Sequence, residues 1–494
     1  MPPQTSTFSV RGFHLDLRIQ VMTLNALKEM ARKIKDFGLN TLIMEWEASY
    51  PFQKHPIIPS ANAYTPKEVN DFLNHCTKLN LDVIPLQQCF GHVEYILRHT
   101  RYAALREDKK DICQLCPLKP GQAAELFSDL FAELCKTHDS KYLHIGCDET
   151  YLLGKCPDCS AKALKKGKSK LFVDYVKVMC KIVKDLGRRP IIWADMLLAH
   201  PEAAADLPKD IVLVDWNYGW AMDHFGDPAP LLKTGLEFWG APALRSHPDD
   251  HFLVSYEKHL RNFSDFIPYA RRTGYKGVIL TSWSTSGIYG FEWAADYEPI
   301  EMHTIRRVFP LKGCHLLLAA FVTAINQDSP LDPSTFAENY AQERFNLTPP
   351  AARAFREALF SDPTWLTQSK TSDNRAIAGV LSNVSKARAV LAKITPAKNR
   401  NEFDLFKLYF DIRVHYLAFK AIEVETQSAS FKNKDIPKTL RDLAKLLNRA
   451  DALDKAFARA FKGYLYGSEI RTENWSRKRK MKLLFERLSR QRSW

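Results

Sequence analysis

Two groups of residues in this 494-residue chain have types and spacings suited to chemistry, and they are almost contiguous. The stretch KYLHIGCDETYLLGKCPDCSA, residues 141–161, runs apolar and then sets Asp148 beside Glu149. In a regular strand, neighbouring side chains point to opposite faces. Both carboxylates can serve one site only if the strand ends there and the chain turns to bring Glu149 round. Two acids held close should not share one role: one stays ionised while the pKa of the other is pushed upward, which suits a proton donor near neutral pH. That division fits glycoside cleavage, where a protonated acid must reach the leaving oxygen. The competing reading of an Asp-Glu dipeptide is an exposed acidic turn.

The second group is Cys113-x-x-Cys116 and Cys156-x-x-Cys159. Thiolates at this local spacing can bind one tetrahedral zinc, although residues 117–155 separate the pairs by more than the usual about 15–20 residues. The alternative is a mixture of buried and free thiols. The other six cysteines, Cys76, Cys89, Cys135, Cys147, Cys180 and Cys314, lie among apolar neighbours and read as small buried residues.

The elements that must position these residues follow from hydrophobic patterning. Residues 1–330 alternate short apolar runs with helix-length amphipathic segments. The runs are 13–19, 41–47, 81–88, 142–149, 190–196, 211–218, 237–244 and 277–284. Between them, segments such as TLNALKEMARKIKDFG and YEKHLRNFSDFIPYARRTG carry apolar residues three and four apart, and Gly38, Gly187 and Gly274 stand where helix C-caps belong. Eight β-then-α units predict a closed (β/α)8 barrel, because near-continuous apolar strands imply a parallel sheet buried on both faces. A doubly wound open sheet is the rival, but the first run ends without a glycine-rich turn and the chain contains no GxGxxG or P-loop. The cysteine pairs follow the third and fourth strands and so fall in neighbouring loops at one barrel end. Polar and aromatic residues cluster at the run ends, where barrels of this kind carry their active sites. Trp193, Trp216, Trp239 and Trp283 are expected to wall a pocket for the apolar face of a sugar ring. Residues 331–494 are helix-patterned throughout, and the end SRKRKMKLLFERLSRQRSW places Leu483, Leu484 and Leu488 on one face of a basic helix.

Composition agrees with a folded globular protein: 46% hydrophobic, 12% aromatic and 26% charged residues. No apolar run approaches the roughly 20 residues of a membrane span. The start, MPPQTSTFSVRG, lacks the basic and apolar regions of a secretory signal, so the expected location is the cytoplasm. A net charge of +14 admits acidic partners without choosing among them.

At these residues a family resemblance enters. LHIGCDE resembles the His-x-Gly-x-Asp-Glu signature of glycoside hydrolase family 20, the β-N-acetylhexosaminidases, and is most similar to the hexosaminidase D branch. FHLDLR, LIMEWEASYPF, YTPKEV, LDVIPLQQCFGHVEYILRHT, WADML, VDWNY and GVILTSWS resemble that branch in the same order, over residues 13–325. The resemblance implies an exo-acting, retaining, substrate-assisted hydrolase of terminal β-linked GalNAc or GlcNAc that needs no cofactor, so a zinc on the cysteines would be structural. It implies Glu149 as general acid and base, Asp148 as the group holding the acetamido N–H, and Tyr218 as donor to the acetamido carbonyl. Arg18 would grip the outer hydroxyls, Trp193, Trp216 and Trp283 would line the acetamido pocket, and His92 and His144 would tune the acids. One departure stands out: where many members carry an acid shortly after the last-strand tryptophan, this chain reads Trp283-Ser284-Thr285. That contact is then either missing or supplied from elsewhere, with Glu47 and Glu292 as the candidates. Galacto versus gluco preference stays open, with GalNAc favoured by the branch.

Three other readings compete. The chain could be a carbohydrate-binding barrel without turnover, a zinc-stapled protein that binds nucleic acid through its basic tail, or a zinc hydrolase. The acid pair together with Tyr218 argues against the first. Nucleic acid and membrane are not the expected partners, and all-thiolate zinc sites are usually closed, which disfavours the last. Oligomeric state is not legible.

Overall fold

The computed structural model describes residues 8–246, 253–284, 291–293, 302–304, 309–361 and 374–491. Eight parallel strand positions close into a barrel. The strands are β1 (Val10–Asp16), β2 (Thr41–Glu45), β3 (Asp82–Leu86), β4 (Tyr142–His144), β5 (Arg189–Trp193), β6 (Val212–Trp216), β7 (Glu237–Ala241), its short continuation β8 (Ala243–Arg245) beyond Pro242, and β9 (Gly277–Ser282). Each neighbours the next, and β1 pairs back onto β9 with Val10 opposite Gly277 and Phe13 opposite Leu280. The sequence explains the closure. Strands such as TLIME are buried at every position, so both faces need cover, one from the barrel interior and one from the surrounding helices. The expected (β/α)8 barrel is present, followed by helices.

The helices carry their own local signals. Helix Leu24–Asp36 buries Ala26, Leu27, Met30, Ala31 and Ile34, a stripe at helical spacing, and Thr23 caps its first turn. Helix Pro66–Lys78 opens with a capping box: the Glu68 N–H donates to Thr65 Oγ1 at 3.2 Å and the Thr65 N–H donates to Glu68 Oε2 at 2.8 Å. A cap of this kind contributes about 1 kcal/mol. Gly38, Gly187 and Gly274 take φ of +80°, +72° and +86°, the left-handed conformation that ends a helix.

Contacts divide the chain into two compact units. One comprises Met1–Leu244, Asn262–Tyr289 and Phe321–Pro330; the other comprises Arg245–Arg261, Gly290–Ala320 and Leu331–Trp494. The first contains the barrel. In the second, long helices pack around Phe345, Phe355, Phe403 and Phe406, with ring centroids 5.1 Å apart for Phe345 and Phe403 and 5.2 Å for Phe355 and Phe406. The basic terminal helix Gly467–Gln491 buries Met481, Leu484 and Leu488 against Ile436, Leu440 and Leu443. Its cations meet acids of the same unit, with Arg477 on Asp454 and Lys478 on Asp451 at 2.8 Å. Among the described residues, no helix is long and apolar enough to cross a membrane.

Candidate active site

The site is assembled where strand β4 stops. The apolar run continues to Glu149, but regular pairing ends at His144, and Gly146, Cys147 and Glu149 take φ of +69°, +74° and +48°. This left-handed turn supplies the reversal that two adjacent carboxylates need. Holding Cys147 and Glu149 there costs on the order of 1–3 kcal/mol each, and specific contacts offset it. The Trp193 N–H donates to Gly146 O at 3.0 Å, and the Glu149 N–H donates to Asp195 Oδ2 at 3.0 Å. Gly146 is required on a second count, because a Cβ there would collide with the Gln88 amide.

The two acids now share one partner. His92 Nε2 lies 3.3 Å from Asp148 Oδ2 and 3.2 Å from Glu149 Oε2. Gln88 Nε2 also donates to Asp148 Oδ1 at 3.2 Å, and the Tyr151 hydroxyl donates to Glu149 Oε1 at 2.5 Å. The environments differ: the Asp148 side chain is 8% exposed and that of Glu149 is 25%. Glu149 is thus the carboxylate facing the opening. Burial opposes charge on His92, but the carboxylates of Asp148 and Glu149, with Glu94 behind, outweigh it and raise the histidine pKa well above the ordinary value. A cationic imidazolium therefore bridges the acid pair at neutral pH.

Around this pair the other strand ends contribute in turn. Beyond β1, Asp16 Oδ2 accepts from Arg18 Nε at 2.9 Å and lies 2.8 Å from one Nη, fixing the plane of the guanidinium, whose Cζ stands 5.5 Å from the Trp283 ring centroid. Burial works against the Arg18 charge, and Asp16, Glu45 and Glu47 together raise its pKa. Glu47, after β2, lies 3.9 Å from Arg18 Nε, and both its carboxylate oxygens are buried without a hydrogen-bond partner. Burial, reinforced by Glu45, Asp16 and Glu94, pushes its pKa well up against the pull of Arg18. Beyond β6 and β9, Trp283 Nε1 donates to the Tyr218 hydroxyl at 2.6 Å. Burial and the charges of Asp148 and Glu149 keep that hydroxyl protonated, with a pKa well above the ordinary tyrosine value. Trp193 and Trp283 stand 5.5 Å apart, and Trp216 and Tyr218 5.1 Å, forming an aromatic wall beside the acids.

Arg18, Glu47, His92, Asp148, Glu149, Trp193, Trp216, Tyr218 and Trp283 thus meet at the C-terminal strand ends. Three expected residues sit elsewhere. His144 is fully buried one layer below. Its Nδ1 accepts the Gly146 N–H at 3.1 Å, and burial lowers its pKa to about 3, so it braces the turn as a neutral ring. Trp239 pairs with Gly277, the first residue of β9, and its ring lies 5.2 Å from Tyr142, the first residue of β4. That places it at the N-terminal end of the barrel, filling the space a side chain at Gly277 would need, with Nε1 donating to Glu237 Oε1 at 2.8 Å. The third is Cys113. Cys116, Cys156 and Cys159 converge, but the fourth member of their group is Glu107. Asp111 accepts the Cys113 N–H at 2.7 Å, and burial together with that carboxylate pushes the Cys113 thiol pKa up. Thr285 and the side chain of Glu292 lie outside the described residues.

Two residues join the site without having been singled out as site residues from sequence. Asp195 accepts the Glu149 N–H, and burial beside the Asp148 charge raises its pKa to about 7. Glu94 is buried with both carboxylate oxygens unpartnered, and burial raises its pKa to about 7. Their signals were the polar strand end in WADML and the acid in GHVEY.

Comparison with known proteins gives the same direction. Residues 11–224 match the model of the glycosyl hydrolase family 20 catalytic domain. Hexosaminidase D of Homo sapiens is 31% identical over 300 residues, a match covering 56% of this chain and 61% of that protein. Hexosaminidase D of Bos taurus is 29% identical over 292 residues, covering 56% of this chain and 84% of the relative. The X-ray structure of a Flavobacterium johnsoniae chitobiase aligns with a TM-score of 0.51 at 13% identity, covering 96% of this chain and 78% of that one, a likeness that bears on the fold alone.

Proposed function

We propose, from the match of residues 11–224 to the glycosyl hydrolase family 20 catalytic domain, that the chain belongs to that family and is an exo-acting β-N-acetylhexosaminidase that releases terminal β-linked GalNAc or GlcNAc by substrate-assisted hydrolysis. The observation that carries the reading is the convergence of Asp148 and Glu149 on His92 Nε2 at a strand end, with one acid buried and the other facing the opening.

The steps divide among the residues as follows. The acetamido oxygen of the sugar attacks the anomeric carbon while Glu149 passes its proton to the glycosidic oxygen, so the aglycone leaves neutral and a cyclic oxazolinium forms. Asp148 accepts the acetamido N–H and places a negative charge beside the positive intermediate, and His92 and Gln88 hold its carboxylate for that task. Tyr218, kept protonated, donates to the acetamido carbonyl oxygen and orients it for attack. Glu149, now a carboxylate, takes a proton from water, which opens the ring with net retention. Trp193, Trp216 and Trp283 wall the acetamido group, a small apolar body that suits stacked rings. Arg18 and Glu47 face the outer hydroxyls. Glu47, whose two buried carboxylate oxygens have no hydrogen-bond partner, offers them there and stands in for the acid absent after Trp283.

The partner is then a glycan or glycoconjugate ending in such a sugar, and the cytoplasm is the location in keeping with the scattered, unpaired cysteines. Hydrolysis of the p-nitrophenyl β-glycosides of GalNAc and GlcNAc tests the proposal. Turnover of at least one, blocked by a thiazoline mimic of the oxazolinium, is expected. No release from either between about pH 4 and 8 would overturn it.

A further inference from the structure

Apart from the sugar site, three thiols and a carboxylate converge where the loops after β3 and β4 meet. Cys116 Sγ lies 3.6 Å from Cys159 Sγ and 3.9 Å from Cys156 Sγ. One ligand atom from each of Glu107, Cys116, Cys156 and Cys159 lies within 4.8 Å of all the others. A tetrahedral zinc with Zn–S bonds of about 2.3 Å holds its sulfurs roughly 3.8 Å apart, so the thiols already stand at coordination spacing.

The backbone builds this arrangement from two short elements. An antiparallel bridge between Arg106 and Leu115 sets Glu107 and Cys116 on adjoining strands of a small loop, where the Glu107 N–H donates to Gln114 O at 3.1 Å and the Cys116 N–H to Leu105 O at 2.8 Å. Across from it, Cys156 caps helix Pro157–Lys166, its sulfur accepting the Cys159 N–H at 3.4 Å, so both thiols of this pair sit in the first helical turn.

Glu107 supplies a second, independent indication. It is 2% exposed. Its Oε1 accepts the Cys156 N–H at 2.9 Å, while its Oε2 is buried with no hydrogen-bond partner. An unpaired buried carboxylate oxygen is costly, and a cation beside it removes the cost. The nearest groups are the three thiols, which become anionic ligands when they bind metal. Soft sulfur ligands in a compact tetrahedral set select zinc over magnesium or calcium.

We propose that Glu107, Cys116, Cys156 and Cys159 bind one Zn2+ in a closed tetrahedral site of three sulfurs and one oxygen, with Cys113 outside it. Each thiol releases its proton to solvent on binding. Four protein ligands leave no open position, so the ion is structural. Its effect on the active site is indirect. The metal anchors Cys156 after the turn that begins at Tyr151, whose hydroxyl reaches Glu149, and the neighbouring Leu152 N–H donates to Gln114 Oε1 at 2.8 Å on the Glu107–Cys116 loop. The site stands on its own geometry and does not depend on the glycosidase reading.

Metal analysis of the full chain, purified without chelator and dialysed, tests the assignment. About one zinc per chain is expected, released as a mercurial titrates the thiols, and Co2+ exchanged into the site should give the intense bands of a tetrahedral thiolate complex. Cys116→Ser and Cys159→Ser should abolish retention, Glu107→Gln should weaken affinity at least about tenfold, and Cys113→Ser should leave stoichiometry unchanged. The proposal is overturned if the wild-type protein neither carries nor takes up Zn2+ or Co2+, or if two of the three thiols are found as a disulfide. It also fails if Cys113→Ser loses the metal as fully as Cys159→Ser, or if Glu107→Gln binds as tightly as wild type. Should the cysteine variants fail to fold, the wild-type stoichiometry and cobalt spectrum decide the question alone.

Discussion

Replacing His92 by glutamine removes the bridging charge while keeping an N–H donor near the same place. His92 Nε2 is shared between Asp148 and Glu149 at 3.3 and 3.2 Å. A hydrogen bond to an ionised partner contributes about 1.5–3 kcal/mol, roughly twice its neutral counterpart. Halving one shared bond therefore costs about 0.8–1.5 kcal/mol. If it falls on the transition state, kcat/KM drops about 3- to 12-fold, since about 1.4 kcal/mol is tenfold. The same change is readable in stability, with a definite sign. The folded-state pKa of His92 is raised by the carboxylates against the opposing effect of burial. Its stabilising contribution is fully present below the unfolded value of about 6.5 and is lost as pH rises through the higher folded value. The Tm gap between wild type and His92→Gln, roughly 2–4 °C per kcal/mol, should be widest near about pH 6 and narrow in alkaline buffer. Thermal melts across pH, paired with kcat/KM on an aryl glycoside, measure both. A Tm gap that is flat with pH, or unchanged kcat/KM, would refute the bridging role.

Three further outcomes follow from the geometry. Asp195 has its pKa raised to about 7, chiefly by burial, so the folded state binds more protons than the unfolded state above about pH 4, and wild-type stability falls as pH rises through that window. Asp195→Asn, followed by melts from about pH 4 to 7, should therefore gain stability relative to wild type as pH rises. Tyr218→Phe should lower kcat about 100-fold with a smaller change in KM, because it removes a donor aimed at developing charge, and should cost about 1 kcal/mol of stability through the lost Trp283 bond. Trp239→Phe should destabilise by on the order of 1–3 kcal/mol yet leave KM unchanged, since that ring packs on Tyr142 and Gly277 at the far barrel end.

Strand existence and order were legible because a barrel strand must be apolar on both faces, and the eight runs declare themselves without an alignment. Strand ends were not, and the site lives there. Residues 142–149 read as one run, but the strand stops at His144, because a left-handed turn at Gly146, Cys147 and Glu149 leaves little trace in hydropathy. Trp239 and Trp193 look alike in sequence. What separates them is depth along the barrel, set by register: Trp239 pairs with the first residue of β9, while Trp193 ends β5. Cys113 illustrates the limit of spacing rules: its backbone N–H donates to Asp111, and it stands outside the group that its C-x-x-C spacing includes. Glu107 fills the place, and no cysteine-spacing rule could have pointed to it. Asp195, at a strand end, and Glu94, in GHVEY, were visible as polar residues, but their burial and the unpartnered carboxylate oxygens of Glu94 exist only once the chain is folded.

The central claim is that Glu149, facing the opening beside the buried Asp148, is the proton donor for cleavage of a terminal β-N-acetylhexosaminide. The most direct measurement is kcat/KM of wild type and Glu149→Gln on the p-nitrophenyl β-glycosides of GalNAc and GlcNAc, with Tm recorded for both proteins. The account predicts turnover by the wild type and a fall of about 100- to 10,000-fold in the variant, with Tm little changed. A folded Glu149→Gln protein that keeps wild-type turnover would contradict it.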